Sequence, residues 1–171
     1  MMKLPEKFKA LIITLSDRAA AGEYDDLSGP RVREMLEAYF KEAGWYLETV
    51  AEIIPDDRSK LRQLLNEASQ DYNIIITTGG TGIGPRDITV DVVRDLIDFE
   101  IPGIMDLIRI KYGMEKPNAL LSRSVAGIIG HSLVYTLPGS VRAVNEYMTE
   151  ILKTLQHAIY MQYGIDAHEK H

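Results

Sequence analysis

The segment Asn73–Asp91, with the sequence NIIITTGGTGIGPRDITVD, decides the fold of this chain. Its first part, Ile74–Ile76, is an apolar β-branched run typical of a strand buried on both faces of a parallel sheet. The next part, Thr77–Pro85, is a loop that contains four glycines and three threonines. A helix is predicted after this loop, and Asp87 or Thr89 is its predicted N-terminal cap.

The loop Thr77–Pro85, called the glycine loop below, suits an anionic ligand. Glycines let backbone N–H groups approach a ligand closely, and a loop at the carboxyl end of a parallel strand favours an oxyanion or phosphate. The charged residues Arg86 and Asp87 follow directly. A tight turn is the alternative interpretation, but it would explain two glycines rather than four glycines with three hydroxyls. The layout therefore predicts a phosphate-handling site.

Two well-known phosphate-binding loops are excluded. A Walker A loop requires Gly-Lys-Ser/Thr after its glycines, and this loop contains no lysine. A dinucleotide-binding fingerprint that starts at Gly80 and Gly82 fails at its third glycine, because that position is Pro85.

Strand and helix patterns alternate along the first half of the chain. Strands are predicted at Phe8–Leu15, Trp45–Ile54 and Asn73–Thr77, the first of them buried, with helices that begin at Pro30 and after Asp57 between them. This alternation implies right-handed crossovers and a mostly parallel sheet with helices on both sides.

The second half is predicted to complete the same sheet. Helices are expected near Thr89–Ile97 and Ile101–Tyr112, followed by a hairpin of Val125–Ile129 and Leu133–Leu137. The turn Pro138–Ser140 then leads into a long amphipathic helix. The predicted fold is a three-layer α/β/α domain whose mostly parallel sheet has about five strands, one of them antiparallel.

Length and composition limit the possible functions. With 171 residues, 46% hydrophobic and 26% charged, the chain is expected to form one domain over residues 1–171. The net charge of −6 argues against nucleic acid as a partner, although a nucleotide site can be locally positive. Without cysteine there is no disulfide, thiol nucleophile or cysteine-bound zinc. No apolar run approaches the ~20 residues of a membrane span, and the first residues lack a signal-peptide core. A cytoplasmic protein without a membrane partner is expected, with a frayed polar tail at Gly164–His171.

Polar residues follow several predicted strands, at the edge where ligands bind in an open parallel sheet. They are Ser16–Arg18, Asp56 with Asp57, the glycine loop with Arg86 and Asp87, and Pro138–Ser140. Simpler interpretations remain open for some of them. Asp56 and Asp87 could each cap a helix, and Ser16–Arg18 could be a turn with a solvated ion pair.

Taken together, the string TTGGTGxxxRDxT at Thr77–Thr89 and several shorter motifs resemble the MogA/MoaB family of molybdenum-cofactor biosynthesis, which is related to the G domain of gephyrin. The shorter motifs occur in order at Ser16–Arg18, Asp26–Pro30, Ile54–Asp56, Glu100–Gly103, Leu121–Ser124 and Leu137–Gly139. The resemblance extends from about Ala10 to Ile159.

The resemblance implies an enzyme that adenylates molybdopterin. ATP would give AMP to the terminal phosphate of molybdopterin, and pyrophosphate would leave. A phosphate monoester, with a second pKa of about 6, is already mostly dianionic at neutral pH, so the nucleophile hardly needs a general base. The difficulty is to hold two anions in line, which calls for Mg²⁺, oriented N–H donors and cationic groups.

The resemblance also assigns roles to residues. Asp56 and Asp87 would be the catalytic residues and would organise Mg²⁺ and the ATP phosphates. Phosphate or adenosine would be cradled by Gly79, Gly80, Thr81 and Gly82. The candidates for the pterin and its phosphate are Ser16, Asp17, Arg18, Ser122, Arg123, Pro138, Gly139 and Ser140, and the division between the two ligands stays open.

Three other functions compete with this one. The first is a molybdopterin-binding or scaffold protein of the same fold with little turnover. The second is the molybdate-inserting enzyme, which contains a similar domain but also needs additional domains. The third is a generic nucleotide-binding module, which would not explain the motifs at Leu121–Ser124 and Leu137–Gly139. The resemblance further implies a homotrimer, or a hexamer for MoaB-like members, that hands its product to the molybdate-inserting enzyme.

Overall fold

The computed structural model describes residues 3–165, so the predicted frayed tail lies outside this range from residue 166 onward. The strands of the described part are β1 (Phe8–Leu15), β2 (Leu47–Ile54), β3 (Ile74–Thr78), β4 (Phe99–Glu100), β5 (Ala126–Ile129) and β6 (Ser132–Leu137). The α-helices are α1 (Asp17–Ala20), α2 (Ser28–Glu42), α3 (Arg58–Asp71), α4 (Thr89–Arg94), α5 (Pro102–Glu115) and α6 (Val141–Gln162). A 3₁₀ turn spans Pro117–Leu121.

The described strands form one sheet in the order β2-β1-β3-β6-β5-β4. The contacts β1–β2, β1–β3 and β3–β6 are parallel. Strand β5 runs antiparallel to both of its neighbours, β4 and β6. The prediction of a mostly parallel sheet with one antiparallel strand is therefore confirmed.

Helices cover both faces of this sheet, as the apolar runs predicted. Along β1, Ile12 packs into a cluster with α2, α5 and α6, while Leu11 and Ile13 pack into a second cluster with α3 and α4. All three side chains are at most 1% exposed. A strand buried on both faces needs apolar residues at every position, which is why these runs do not alternate with polar residues. The three-layer α/β/α architecture is confirmed.

The sheet has six strands among the described residues rather than about five. The additional strand is β4, which consists of two exposed residues that pair with Ile128 and Gly127 of β5. A two-residue edge strand is too short to produce a periodic pattern in the sequence.

Two helix starts also differ from the prediction. Helix α2 begins at Ser28 rather than at Pro30, because the Asp26 carboxylate accepts hydrogen bonds from the N–H groups of Ser28 and Gly29. The short helix α1 begins within Ser16–Arg18, for which a turn was one interpretation, and its N-terminus is capped by the Ser16 hydroxyl. No helix within residues 3–165 is long and apolar enough to cross a membrane.

Candidate functional site

Loops that follow β1, β2, β3 and β6 meet at one edge of the sheet, where they form two adjoining pockets. The first, called the carboxylate pocket, has a volume of about 320 Å³ and is lined in part by Thr14, Ser16, Tyr24, Asp25, Asp26, Ser28, Asp56, Thr78 and Arg86. The second lies at the N-terminus of α6 and is called the α6 pocket. Its volume is about 460 Å³, and its lining includes Thr81, Gly82, Lys116, Asn118, Ser122, Pro138, Ser140, Arg142, Glu146 and Tyr147. Gly80, Asp87 and Gly139 line both pockets, so these residues form their junction.

Asp56 does not cap helix α3, which removes the simpler interpretation of this residue. The cap is its neighbour Asp57, whose carboxylate accepts from the N–H of Lys60 at 2.8 Å. Among residues 3–165, none donates a hydrogen bond to the Asp56 carboxylate. Partial burial raises the pKa of Asp56, and the nearby negative charge of Asp87 raises it further. Asp56 is therefore a half-buried carboxylate to which no described residue donates a hydrogen bond.

The prediction that Asp87 or Thr89 caps helix α4 is wrong. The N-cap position is Ile88, and no side chain forms a capping hydrogen bond there. Asp87 instead accepts from the N–H of Gly84 at 2.8 Å, within the glycine loop. The Thr89 hydroxyl donates to the carbonyl of Gly79 at 2.9 Å and fastens the loop to α4.

The pair Asp56 and Asp87 fits a hard cation that shares its ligands with a phosphate. Within the described part of the chain, no cluster of three or more histidine or carboxylate side chains could hold a metal by itself. Mg²⁺ in nucleotide sites is bound by one or two carboxylates together with substrate phosphates and water. Two half-buried carboxylates beside an anion-binding loop meet that requirement.

The glycine loop lines both pockets and carries backbone N–H groups without an acceptor among the described residues. The backbone N–H groups of Gly80, Thr81 and Gly82 have no acceptor among residues 3–165. Gly79 and Gly80 adopt φ angles of +93° and +67°, a left-handed conformation in which successive N–H groups can form an anion-binding concavity. The expected anion-binding role of the loop thus has specific donors.

The loop glycines are also required for packing, which sequence reasoning missed. A Cβ atom at Gly79 would lie 2.4 Å from the carbonyl oxygen of Leu15, and one at Gly80 would lie 2.3 Å from Oγ1 of Thr89. The loop therefore packs directly against the end of β1 and the start of α4.

Arg123, a predicted ligand contact, lies beneath the glycine loop and lines neither pocket. Its guanidinium donates to the carbonyl oxygens of Gly82 and Asp87 at 2.7 and 2.8 Å and to the Asp91 carboxylate at 2.7 Å. The same contact lowers the pKa of Asp91. In this arrangement Arg123 braces the loop, while its neighbour Ser122 lines the α6 pocket.

The segment Ser16–Arg18 reaches the site through two of its three residues. Ser16 lines the carboxylate pocket. Asp17 accepts from the backbone N–H of Asp56 at 3.0 Å and forms an ion pair with Arg86. Arg18 stacks on the ring of Tyr24, with its guanidinium carbon 5.0 Å from the ring centroid, and lines neither pocket.

Sequence reasoning gave no site role to Asp26, Lys116 or Arg142, although all three line the pockets. The Asp26 carboxylate accepts from the Thr14 hydroxyl at 2.6 Å, which joins the α2 start to β1. Its position two residues before a helix was a usable signal. Lys116 and Arg142 both bond one oxygen of Glu146, at 2.9 and 3.1 Å. Both residues lie outside the sequence motifs described above, so no local sequence pattern identified them.

These features define a class of protein: an α/β domain whose site, at the carboxyl edge of a parallel sheet, suits phosphate esters. Among residues 3–165, its site combines backbone N–H groups without an acceptor, the Asp56 carboxylate without a donor, and several cations, the groups that phosphoryl-transfer chemistry uses. Comparison with known proteins identifies the family within this class.

The profile of the family described as "Probable molybdopterin binding domain" matches residues 11–157. The chain belongs to this family, and the resemblance found in its motifs is confirmed.

Individual relatives agree with the family. Molybdopterin adenylyltransferase of Helicobacter pylori is 32% identical over 155 residues, which cover 90% of this chain and 86% of that protein. Gephyrin of Dictyostelium discoideum is 33% identical over 164 residues, but the chain spans only 23% of the length of gephyrin. The crystal structure of the molybdopterin biosynthesis enzyme MoaB from Thermus thermophilus superposes with a TM-score of 0.80 at 36% identity, covering 92% of this chain and 97% of that one.

Proposed function

We propose that this chain is a molybdopterin adenylyltransferase of molybdenum-cofactor biosynthesis. It transfers AMP from ATP to the terminal phosphate of molybdopterin and releases pyrophosphate. The observation that carries the proposal is the junction of the two pockets, where Asp87 and the free N–H of Gly80 lie beside the unpartnered carboxylate of Asp56. The Helicobacter pylori relative, whose alignment covers most of both chains, is named for this activity.

The two pockets suit different ligands. The carboxylate pocket suits the magnesium-bound phosphate chain of ATP, because Asp56 and Asp87 lie there beside the glycine loop. The α6 pocket suits molybdopterin. The N-terminus of α6 lies in its wall, and the charges of Lys116 and Arg142 together exceed that of Glu146, so the pocket favours the phosphate.

At the junction, the protein's contribution is positioning and electrostatics. An oxygen of the molybdopterin phosphate attacks the α-phosphorus of ATP, and the bond to the β-phosphate oxygen breaks as pyrophosphate leaves. The loop N–H groups hold the phosphate oxygens, and Asp56 and Asp87 would hold Mg²⁺. When bound, Mg²⁺ neutralises charge on the phosphates. No side chain needs to remove a proton, because the nucleophile is already an anion.

The decisive experiment is incubation of the chain with molybdopterin, ATP and Mg²⁺. We expect adenylated molybdopterin and an equal amount of pyrophosphate, both dependent on Mg²⁺. Molybdopterin binding without product would instead identify the binding or scaffold protein that sequence reasoning left open. Absence of both binding and product would contradict the proposal.

We also propose that the chain forms a homotrimer. Helix α5 exposes Leu107, Ile110 and Met114 on one face, with exposed fractions of 53%, 60% and 84%, and the exposed Leu120 and Leu121 lie in the adjoining 3₁₀ turn. A contiguous apolar surface of this kind marks an interaction site. Light scattering should give the mass of three chains of 19.2 kDa, and Ile110→Glu should reduce it. The mass of one chain at micromolar concentration would contradict the trimer, and that of six would favour the hexamer.

Other expectations from the sequence stay predictions. They are the organisation of residues 1–171 as one domain, the cytoplasmic location, the absence of a nucleic-acid partner and the delivery of the product to the molybdate-inserting enzyme.

A further inference from the structure

The carboxylate pocket is strongly negative. Asp25, Asp26, Asp56 and Asp87 line it, and among its described lining residues Arg86 is the only cation. A phosphate chain that enters this pocket meets repulsion from these carboxylates unless cations offset it. Mg²⁺ can supply part of the positive charge, and Arg86 is the protein group placed to supply more.

Arg86 is held loosely. Within residues 3–165, its guanidinium has one partner, the carboxylate of Asp17 on α1. The Arg86 side chain is 69% exposed and that of Asp17 is 37% exposed. Ion pairs this accessible to water contribute little stability, so an incoming anion can replace the carboxylate at small cost.

Two other arginines near the carboxylate pocket do not have this freedom. Arg123 is fixed by two carbonyl groups and by Asp91, and these contacts hold the glycine loop in place. Arg18 packs on Tyr24 and lies outside both pockets. Arg142 is also exposed, but it lines the α6 pocket. Arg86 is therefore the arginine in the lining of the carboxylate pocket that can change partners without loss of loop structure.

We propose that Arg86 pairs with Asp17 until a nucleotide binds, and that Arg86 then leaves Asp17 to bind the phosphate chain of the nucleotide. The other oxygen of Asp17 stays on the N–H of Asp56, so the loop that carries Asp56 keeps its position during the exchange. The identity of the nucleotide as ATP rests on the proposed function. The exchange itself requires only a ligand with the chemistry of a pyrophosphate.

The test compares two variants that should change the affinity for pyrophosphate in opposite directions. Inorganic pyrophosphate is titrated into the protein by calorimetry at fixed Mg²⁺. Arg86→Gln should weaken binding by about tenfold or more, the scale of a charged hydrogen bond. Asp17→Asn should strengthen it by about two- to fivefold, the scale of an exposed ion pair. Asparagine keeps an oxygen for the Asp56 N–H but releases Arg86. The double variant should bind like Arg86→Gln, because the released cation is absent.

A purely structural role for the ion pair predicts that the two variants change the affinity in the same direction. If Arg86 and Asp17 only tie two loops together, both single variants should weaken binding to a similar extent, and that result would overturn the proposal. Unchanged affinity in Arg86→Gln would overturn it as well. The matched control is the exposed pair Arg62 and Asp95 between α3 and α4, where Arg62→Gln and Asp95→Asn should leave affinity unchanged.

The outcome is separable from that of the proposed function. If the two variants change pyrophosphate affinity in opposite directions but the chain does not adenylate molybdopterin, the exchange is supported and the proposed activity is refuted. A chain that adenylates molybdopterin while both variants weaken pyrophosphate binding equally retains the activity and loses the exchange.

Discussion

Asp56→Asn and Asp87→Asn are each expected to slow AMP transfer by on the order of a hundredfold or more, the scale of losing one preorganised electrostatic group. The free energy of unfolding should change by no more than about 1 kcal/mol, because neither carboxylate caps a helix and asparagine can keep the Asp87 contact to the Gly84 N–H. Molybdopterin binding should survive, because the α6 pocket holds that ligand in our proposal. Steady-state rates, denaturant unfolding and ligand titration check the three statements.

The chain offers a matched control one residue away. Asp57 is the cap of α3, and asparagine caps nearly as well as aspartate, so Asp57→Asn should have close to the original rate and stability. Asp57→Ala should lose roughly 1 kcal/mol of stability with a much smaller change in rate. Near-normal turnover of Asp56→Asn at saturating Mg²⁺, or an equal loss in Asp57→Asn, would refute the assignment.

Gly80→Ala should lower the free energy of unfolding by roughly 3 kcal/mol or more. The φ angle of +67° at Gly80 disfavours any side chain, at about 1–2 kcal/mol. The new Cβ would also lie 2.3 Å from Oγ1 of Thr89, which is fully buried and bonded to Gly79, so relief requires the loop or α4 to shift. Overpacking of this kind costs about 1–3 kcal/mol.

The control for this prediction is Gly22, which has a φ angle of +73° but no atom within 4 Å of its would-be Cβ. Gly22→Ala should therefore cost only the conformational part, about 1–2 kcal/mol. Urea unfolding of both variants separates the two contributions. Equal losses would mean that the contact between Gly80 and Thr89 does not constrain the loop.

The centre of the sheet could be predicted from the sequence because β1 and β3 are largely apolar runs, and burial on both faces leaves no other place for Ile12 or Ile76. Strand β4 could not, because two residues carry no period. The edge of the sheet at which the site lies was also predictable, since the carboxyl ends of parallel strands lie together.

The roles of single side chains were harder to predict. Asp56 and Asp57 have the same capping propensity, and only the path of the backbone into α3 decides that Asp57 is the cap. Arg123 bonds a loop carbonyl 41 residues earlier in the chain, a contact that no local pattern contains. Sequence motifs thus identified the segments of the site but not which member of each segment is free to bind.

The narrow junction of the two pockets has a kinetic consequence. Of the described residues, only Gly80, Asp87 and Gly139 line both pockets, so in the proposed reaction each ligand finds nearly all of its walls in place before the other arrives. Geometry then imposes no compulsory order of addition. Any influence of one bound ligand on the affinity of the other passes through these shared residues, and linkage makes it equal in both directions.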